Sequence, residues 1–165
     1  MARTHKILDS PLGKLTLVVD DGSLSGLYFP GHWPKPDPSS FGARSDTGFE
    51  LAERQLGAYF AGRLTHFSLP SSLTGDDFQK RVWALIGGIA YGQTRTYGEL
   101  AEALGDPSLA REVGAAVGRN PLSVIVPCHR VVGKGGKLTG YAGGLERKRF
   151  LLDLEAPRSD CARLF

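Results

Sequence analysis

Residues 96–118, TYGELAEALGDPSLAREVGAAVG, predict two short helices separated by a tight turn. Thr96 and Glu99 have the spacing of a capping box, and Gly105 is typical of a helix C-terminus. Asp106, which a proline follows, matches the N-cap of a second helix. Such a pair is either a helix-turn-helix or an ordinary αα-hairpin in a helical core, and the pattern by itself favours the hairpin.

The second of these helices carries small residues around the positive charge of Arg111. Glycine in a helix interior costs up to about 1 kcal/mol, so its presence indicates close approach by another structure. That structure is either a neighbouring helix or the wall of a nucleic-acid groove. The small residues are Ala110, Gly114, Ala115, Ala116 and Gly118.

The sequence before this pair begins as strands and loops. Residues 7–29 contain apolar runs broken at residues 11–13 and at Asp21-Gly22, which predicts antiparallel hairpins. Residues 31–48 are rich in Pro, Gly and Ser and are typical of a long loop. A helix is predicted over residues 49–60, and residues 64–73 are expected to return to strand. The first 75 residues therefore indicate a small α+β unit.

The pattern becomes helical immediately afterwards. Residues 76–89, DDFQKRVWALIGGI, place Phe78, Val82 and Ile86 on one stripe behind an aspartate that serves as N-cap. This helix and the pair described above indicate a mainly helical second unit.

The composition is that of an ordinary globular protein, with 41% hydrophobic and 22% charged residues among 165. No apolar run is long enough to span a membrane and no signal-type segment is present, so we expect a cytoplasmic protein with no membrane partner. The net charge of +3 lies in the second half, where eight basic and two acidic residues occur from Arg111 to Arg149. This imbalance is typical of a nucleic-acid-binding surface or of a solvated face.

Cys128 stands in the stretch SVIVPCHRVVG, residues 123–133, directly before two basic residues. Cationic neighbours lower the pKa of a thiol and make it nucleophilic. Because adjacent side chains rarely face each other, we expect a water-bridged contact with His129 rather than a direct pair. The residues alone leave a reactive cysteine and a buried structural thiol equally open. The other cysteine, Cys161, lies in a polar tail and is expected to have no role.

No metal site or cofactor is predicted. No pair of cysteines or histidines has zinc spacing, and no phosphate-binding or dinucleotide-binding glycine motif is present. Two cysteines do not make a disulfide framework, which favours a reducing compartment.

Residues 120–155, NPLSVIVPCHRVVGKGGKLTGYAGGLERKRFLLDLE, strongly resemble the active-site segment of the O6-alkylguanine-DNA alkyltransferases. The likeness extends upstream through residues 77–105 and 110–121. It implies an α+β fold, with a small N-terminal α/β unit of ribonuclease H-like type over residues 1–75. A mainly helical catalytic unit would follow over residues 76–165, with the helix-turn-helix at about 96–118.

The resemblance implies direct-reversal DNA repair, in which the alkyl group of O6-alkylguanine moves irreversibly to Cys128 without a cofactor. His129 would take the thiol proton through a water, and Glu155 would orient the imidazole. Tyr97 would donate to guanine N3 as the base leaves. Without the resemblance, Glu155 would be interpreted as an exposed acid near a helix end. Backbone groups at Cys128, Val131 and Ala142 would read the base edge, and Tyr141 would line the pocket. Asn120 would brace the turn that carries the cysteine, and Gly143 completes the implied substrate-binding set.

The implied partner is double-stranded DNA. The second helix of the pair would enter its minor groove, with the damaged base flipped out. Arg111 would fill the space that the base vacates, and Glu112 departs from the alanine often found in the family. We expect a monomer, with clustering on DNA left open, and no zinc in the cysteine-free first half. The further DNA contacts implied are Thr96, Ala110, Gly114, Arg119 and Arg130.

Two other functions stay open on sequence alone. A damage sensor without chemistry would share the DNA-binding residues, but such sensors usually have tryptophan in place of the cysteine. A cysteine hydrolase would need a histidine facing the thiol and a route by which water releases the product, and the adjacent Cys128–His129 pair indicates neither clearly.

Overall fold

The computed structural model describes residues 3–156, so Cys161 lies outside the described residues. The strands are β1 (Arg3–Ser10), β2 (Gly13–Asp20), β3 (Ser23–Tyr28), β4 (Ala43–Arg44), β5 (Arg95–Thr96) and β6 (Val131–Val132). The α-helices are α1 (Glu50–Phe60), α2 (Asp77–Gly87), α3 (Tyr97–Ala103), α4 (Ala110–Gly118) and α5 (Leu145–Glu155). This arrangement confirms the α+β class.

The predicted hairpins are present as a four-stranded sheet of order β3-β2-β1-β4. The turn between β2 and β3 contains Asp21 and Gly22, both with positive φ, which is the geometry a two-residue hairpin turn needs. In β2, Leu15 and Leu17 point to one face and are fully buried. Helix α1 buries Ala52, Leu56 and Tyr59, and these contribute to the same core as the two leucines.

The strand expected over residues 64–73 does not form. Two backbone hydrogen bonds flank a single bridge between Leu24 and Ser71, from Leu24 N to the Pro70 carbonyl and from Ser72 N to the Leu24 carbonyl. The sheet stops there because Pro70 has no N–H to continue the ladder.

A second core lies among the helices. Val82, Trp83 and Ile86 of α2 pack with Val113 and other apolar residues of α3 and α4, and Cys128 belongs to this cluster. The first core in turn includes Leu122, Val124 and Leu151 from the second half. The predicted boundary between residues 75 and 76 stays a prediction.

The helix pair at residues 96–118 has the expected ends. Thr96 Oγ1 accepts from the Glu99 N–H at 3.0 Å, and Glu99 Oε1 accepts from the Thr96 N–H at 2.8 Å, which completes the capping box. Gly105 has φ +97° after α3. Asp106 caps a single 3-10 turn, Pro107–Leu109, and α4 follows that turn. Within residues 3–156, no helix is both long and apolar enough to cross a bilayer.

Candidate active site

Cys128 opens a 3-10 turn, Cys128–Arg130, directly before β6 and is only 2% exposed. The loop before it is held by Asn120, whose side chain donates to the Val126 carbonyl at 2.9 Å and accepts from Leu122 N–H at 2.9 Å. In the same loop Val124 is buried with φ +72°, a conformation that β-branched residues rarely adopt. Asn120 thus braces a strained loop that presents the cysteine.

Glu155 is the centre of a buried hydrogen-bond network. Its carboxylate accepts from His129 Nε2 at 2.7 Å and from Arg130 Nε and Nη2 at 2.8 and 3.0 Å. The hydroxyl of Tyr59, 96 positions away in α1, donates to it at 2.5 Å. Burial by itself would raise the pKa of Glu155, but the hydrogen bonds from His129 and Arg130 outweigh burial and lower the pKa to about 2.

The network sets the protonation state of His129. A carboxylate only accepts hydrogen bonds, so the proton of the neutral ring lies on Nε2 and the lone pair on Nδ1. Burial lowers the pKa of His129, more than the neighbouring Glu155 raises it, and the ring is therefore neutral. His129 Nδ1 is buried and has no hydrogen-bond partner among the described residues. His129 is thus oriented to accept a proton on Nδ1.

The thiol of Cys128 is protonated at rest. Burial raises its pKa, and the polar side chains of Asn120 and Ser123 and the ammonium of Lys148 oppose that rise only in part. The expected cationic activation by adjacent residues is therefore not found, because His129 is neutral and the charge of Arg130 is paired with Glu155. The thiol needs a base to become nucleophilic.

Lys148 is a buried residue of this site that the sequence interpretation missed. It is fully buried, and its Nζ donates to the carbonyls of Thr139 at 2.9 Å and Gly140 at 3.4 Å. Burial lowers its pKa to about 8. The signal was present in the sequence, because Lys148 lies three and seven positions before Leu151 and Glu155 and so shares their inward face.

Lys148 gives the protein a predicted pH dependence of stability. Because its pKa falls from 10.5 to about 8 on folding, the unfolded chain binds more protons between these pH values, and stability contributed by this residue rises with pH. We expect the difference in unfolding free energy between wild type and Lys148→Met to grow in favour of wild type, by at most about 3 kcal/mol, from pH 8 to 10.5. Urea unfolding at both pH values measures this, with exposed Lys134→Met as control. A difference independent of pH would contradict the prediction.

A cleft of about 540 Å³ opens next to the cysteine loop. Tyr97 and Tyr141 both line it, and Tyr97 Oη accepts from Thr139 Oγ1 at 3.1 Å. The hydroxyl of Tyr141 is buried without a partner among the described residues, and Tyr141 packs against the apolar cluster that contains Cys128. The inner end of the cleft therefore lies near the thiol. Its lining is Trp33, Pro34, Tyr97, Gly114, Ala115, Val117, Gly118, Arg119, Thr139, Gly140, Tyr141 and Ala142.

Gly143 of the implied substrate-binding set lies outside the cleft, whereas the position of Val131 is compatible with the implied backbone contact. Gly143 is outside the cleft lining and contacts Phe29, whose ring leaves no room for a Cβ. Packing thus explains glycine at this position. Val131 is fully buried in the core with Cys128, so only its backbone is a candidate for contact with a base.

The residues implied to contact DNA differ in how accessible they are. Arg111 and Arg119 are exposed at the two ends of α4, and Thr96, Ala110 and Gly114 are half-buried. Arg130 is wrong as a DNA contact: it is 7% exposed, and its guanidinium donates to Glu155 and to the Ile89 carbonyl at 2.6 Å.

Two further expectations concern Glu112 and the absence of a metal ion. Glu112 is exposed in the first turn of α4, where a carboxylate is favourable beside the helix N-terminus. Within residues 3–156, no group of three or more His, Cys, Asp or Glu side chains is arranged to hold a metal ion, and the expectation that the protein needs none stays a prediction.

Fold and site define the class: an α+β protein with a buried cysteine beside a cleft, and with two short helices, α3 and α4, joined through a 3-10 turn. Two family models match it, the 6-O-methylguanine DNA methyltransferase ribonuclease-like domain over residues 4–73 and the DNA binding domain of the same family over residues 77–157. The α3–α4 pair thus falls in a DNA binding domain.

Curated relatives agree. The methylated-DNA–protein-cysteine methyltransferase of Mycobacterium tuberculosis is 48% identical over 163 residues, covering 94% of this chain and 93% of its own. That of Methanosarcina acetivorans is 46% identical over 151 residues, covering 92% and 97%. A crystal structure of the Mycobacterium tuberculosis protein OGT in complex with DNA has a TM-score of 0.87 at 48% identity, covering 93% and 95%. The chain belongs to the methylated-DNA–protein-cysteine methyltransferase family.

Proposed function

We propose that the protein repairs DNA by moving the alkyl group of O6-alkylguanine irreversibly to Cys128, once per molecule. The observation that carries the proposal is that one 3-10 turn holds the buried thiol of Cys128 and the buried imidazole of His129, whose Nδ1 has no partner among the described residues. The relatives named above, which are methylated-DNA–protein-cysteine methyltransferases, support the same reaction.

The arrangement of the site suggests where the thiol proton and the bonding electrons go during transfer. A bridging water passes the Cys128 proton to His129 Nδ1, and Glu155 holds the imidazolium that results. Sulfur then forms a bond to the alkyl carbon while the carbon–O6 bond breaks and its electron pair stays with guanine. Tyr97, on the cleft wall, donates a proton to guanine N3 as charge develops. Backbone groups at Cys128, Val131 and Ala142 read the base edge.

The product explains the single turnover. A thioether carbon is saturated and lacks a carbonyl that water could attack, so the protein stays alkylated. In a hydrolase, by contrast, water attacks the carbonyl of the acyl intermediate and frees the enzyme. The site therefore favours stoichiometric transfer over a hydrolytic cycle.

The base reaches this site only if it leaves the DNA stack. The small residues Gly114, Ala115 and Gly118 line the cleft from α4 and allow close approach of a backbone. We place α4 in the minor groove, with exposed Arg111 in the gap left by the flipped base. We also place the reaction in the cytoplasm. A monomer is sufficient for it, because the residues of the site come from one chain.

Intact-mass measurement tests the proposal. The protein is mixed with duplex containing O6-methylguanine, and a stable gain of one methyl group that maps to Cys128 is expected. Unchanged mass with continuing product formation would instead indicate a hydrolase, and binding without chemistry would indicate a damage sensor. Either result would overturn the proposal.

Arg111→Ala separates base flipping from chemistry. Unstacking a base costs a few kcal/mol, and Arg111 would offset part of this cost by filling the gap. Each 1.4 kcal/mol of this stabilisation that is lost slows repair of duplex DNA by roughly tenfold. We expect this slowing with alkylated duplex and little change with free O6-benzylguanine, because Arg111 does not line the cleft. The salt slope of DNA binding should fall slightly.

The matched control for this variant is Arg54→Ala, which removes an exposed arginine from α1. The measurement is the second-order rate constant of transfer with each substrate. Equal slowing of both substrates by Arg111→Ala would place Arg111 in the fold or the pocket and contradict the finger role.

A further inference from the structure

Trp33 is a large apolar side chain left exposed at the mouth of the active-site cleft. It is 75% exposed, compared with 48% or less for the other exposed large hydrophobic residues among those described. It also lines the cleft, as do the small residues of α4. Trp33 is therefore a wall residue of the cleft whose side chain is mostly open to solvent.

The backbone that carries Trp33 is anchored although the indole is not packed. The Trp33 N–H donates to the Ala142 carbonyl at 2.8 Å, which ties the loop to the active-site segment. The preceding His32 is 6% exposed, accepts from the Phe29 N–H at 3.3 Å, and contacts the rings of Tyr28 and Phe29 with centroids 5.1 and 6.0 Å away. The backbone at the base of the indole is thus fixed relative to the active-site segment.

The cleft has an inner and an outer end. Tyr141, whose hydroxyl is buried, lies at the inner end and packs against the cluster that contains Cys128, and the exposed Trp33 lies at the solvent end. A volume of about 540 Å³ is that of a site for a small planar molecule. When the alkyl carbon on guanine O6 points toward Cys128, the rest of the guanine ring lies nearer the mouth of the cleft.

We propose that Trp33 is a substrate-contacting residue that stacks on the extruded guanine and holds it in the cleft. This inference rests on the proposed function and extends it by giving the N-terminal unit a direct part in substrate binding. Indole rings stack on any base face, and such stacking is a common means of capturing a base removed from the helix. Since the contact is to the base itself, it operates without duplex DNA.

Fluorescence provides a direct test, because the chain contains two tryptophans. Trp83 is buried and its Nε1 donates to the Ala116 carbonyl at 2.9 Å, so it reports little on the cleft. In the Cys128→Ser protein, titration with free O6-benzylguanine should quench the Trp33 emission. In Cys128→Ser/Trp33→Phe the emission change should disappear while calorimetry still detects binding.

Kinetics on proteins that retain Cys128 give the second readout. Trp33→Ala should slow alkyl transfer from free O6-benzylguanine and from alkylated duplex alike, each about tenfold. Trp33→Phe should recover most of the rate, because phenylalanine also stacks. Lys35→Ala, an exposed change in the same loop, is the control and should leave both rates unchanged. Matching thermal unfolding midpoints exclude a fold defect.

The outcomes separate the inference from the proposed function. If Trp33→Ala slows only the duplex reaction and O6-benzylguanine leaves the fluorescence unaltered, Trp33 contacts DNA outside the cleft and the inference is wrong. Unchanged rates for both substrates would also overturn it. If the wild-type protein gains no alkyl mass from either substrate, the proposed function itself fails.

Discussion

Cys128→Ser is expected to abolish alkyl transfer and to leave folding and DNA binding intact. An alcohol is a far weaker nucleophile than a thiol at neutral pH, and His129 cannot deprotonate it to a useful extent. The substitution is nearly isosteric in a site that is 2% exposed. Polar side chains of Asn120 and Ser123 lie close enough to influence the cysteine and provide partners for a hydroxyl.

Intact mass after incubation with alkylated duplex measures the loss, and a gel-shift or anisotropy titration measures DNA binding. The control is Cys161→Ser, at a position outside the described residues, which should react at the wild-type rate. Transfer of the alkyl group to any other residue of the Cys128→Ser protein would remove Cys128 as the acceptor.

Glu155→Gln is expected to slow transfer strongly and to destabilise the protein. The carboxylate accepts from Tyr59, His129 and Arg130, and a glutamine amide turns one of its two acceptors into a donor that faces another donor. It also leaves the Arg130 charge buried without a counterion. Breaking a buried ion pair in this way costs about 3–5 kcal/mol.

The stability loss should depend on pH. Because folding lowers the pKa of Glu155 from 4.5 to about 2, its contribution is complete above pH 4.5 and is lost as pH falls toward 2. The wild-type advantage over Glu155→Gln in urea unfolding should therefore shrink across that window. Asp153→Asn, an exposed carboxylate-to-amide change on α5, is the control.

Transfer rates for Glu155→Gln are compared per folded molecule, with DNA affinity measured alongside. An unaltered rate at equal folded fraction would remove Glu155 from the mechanism and leave it a structural role only. A rate loss that Asp153→Asn shares would point to helix α5 rather than to the carboxylate.

Local features of the fold were predictable from the sequence because they depend on neighbours in the chain. The Thr96–Glu99 capping box and the Asp21–Gly22 turn formed as expected, since each is decided within four residues. The strand expected over residues 64–73 did not form, because its pairing depended on β3, which is distant in sequence, and Pro70 has no N–H to extend the ladder.

The sequence by itself determined the family, through the motif around Cys128, and the local elements, through the capping and turn residues. Only the tertiary structure decided which charges meet. Arg130 turns inward to Glu155 instead of toward DNA, and Tyr59 reaches the same carboxylate from 96 positions away. Periodicity predicts which face of an element is buried, but the partner across the core depends on how separate elements pack, which no local spacing encodes.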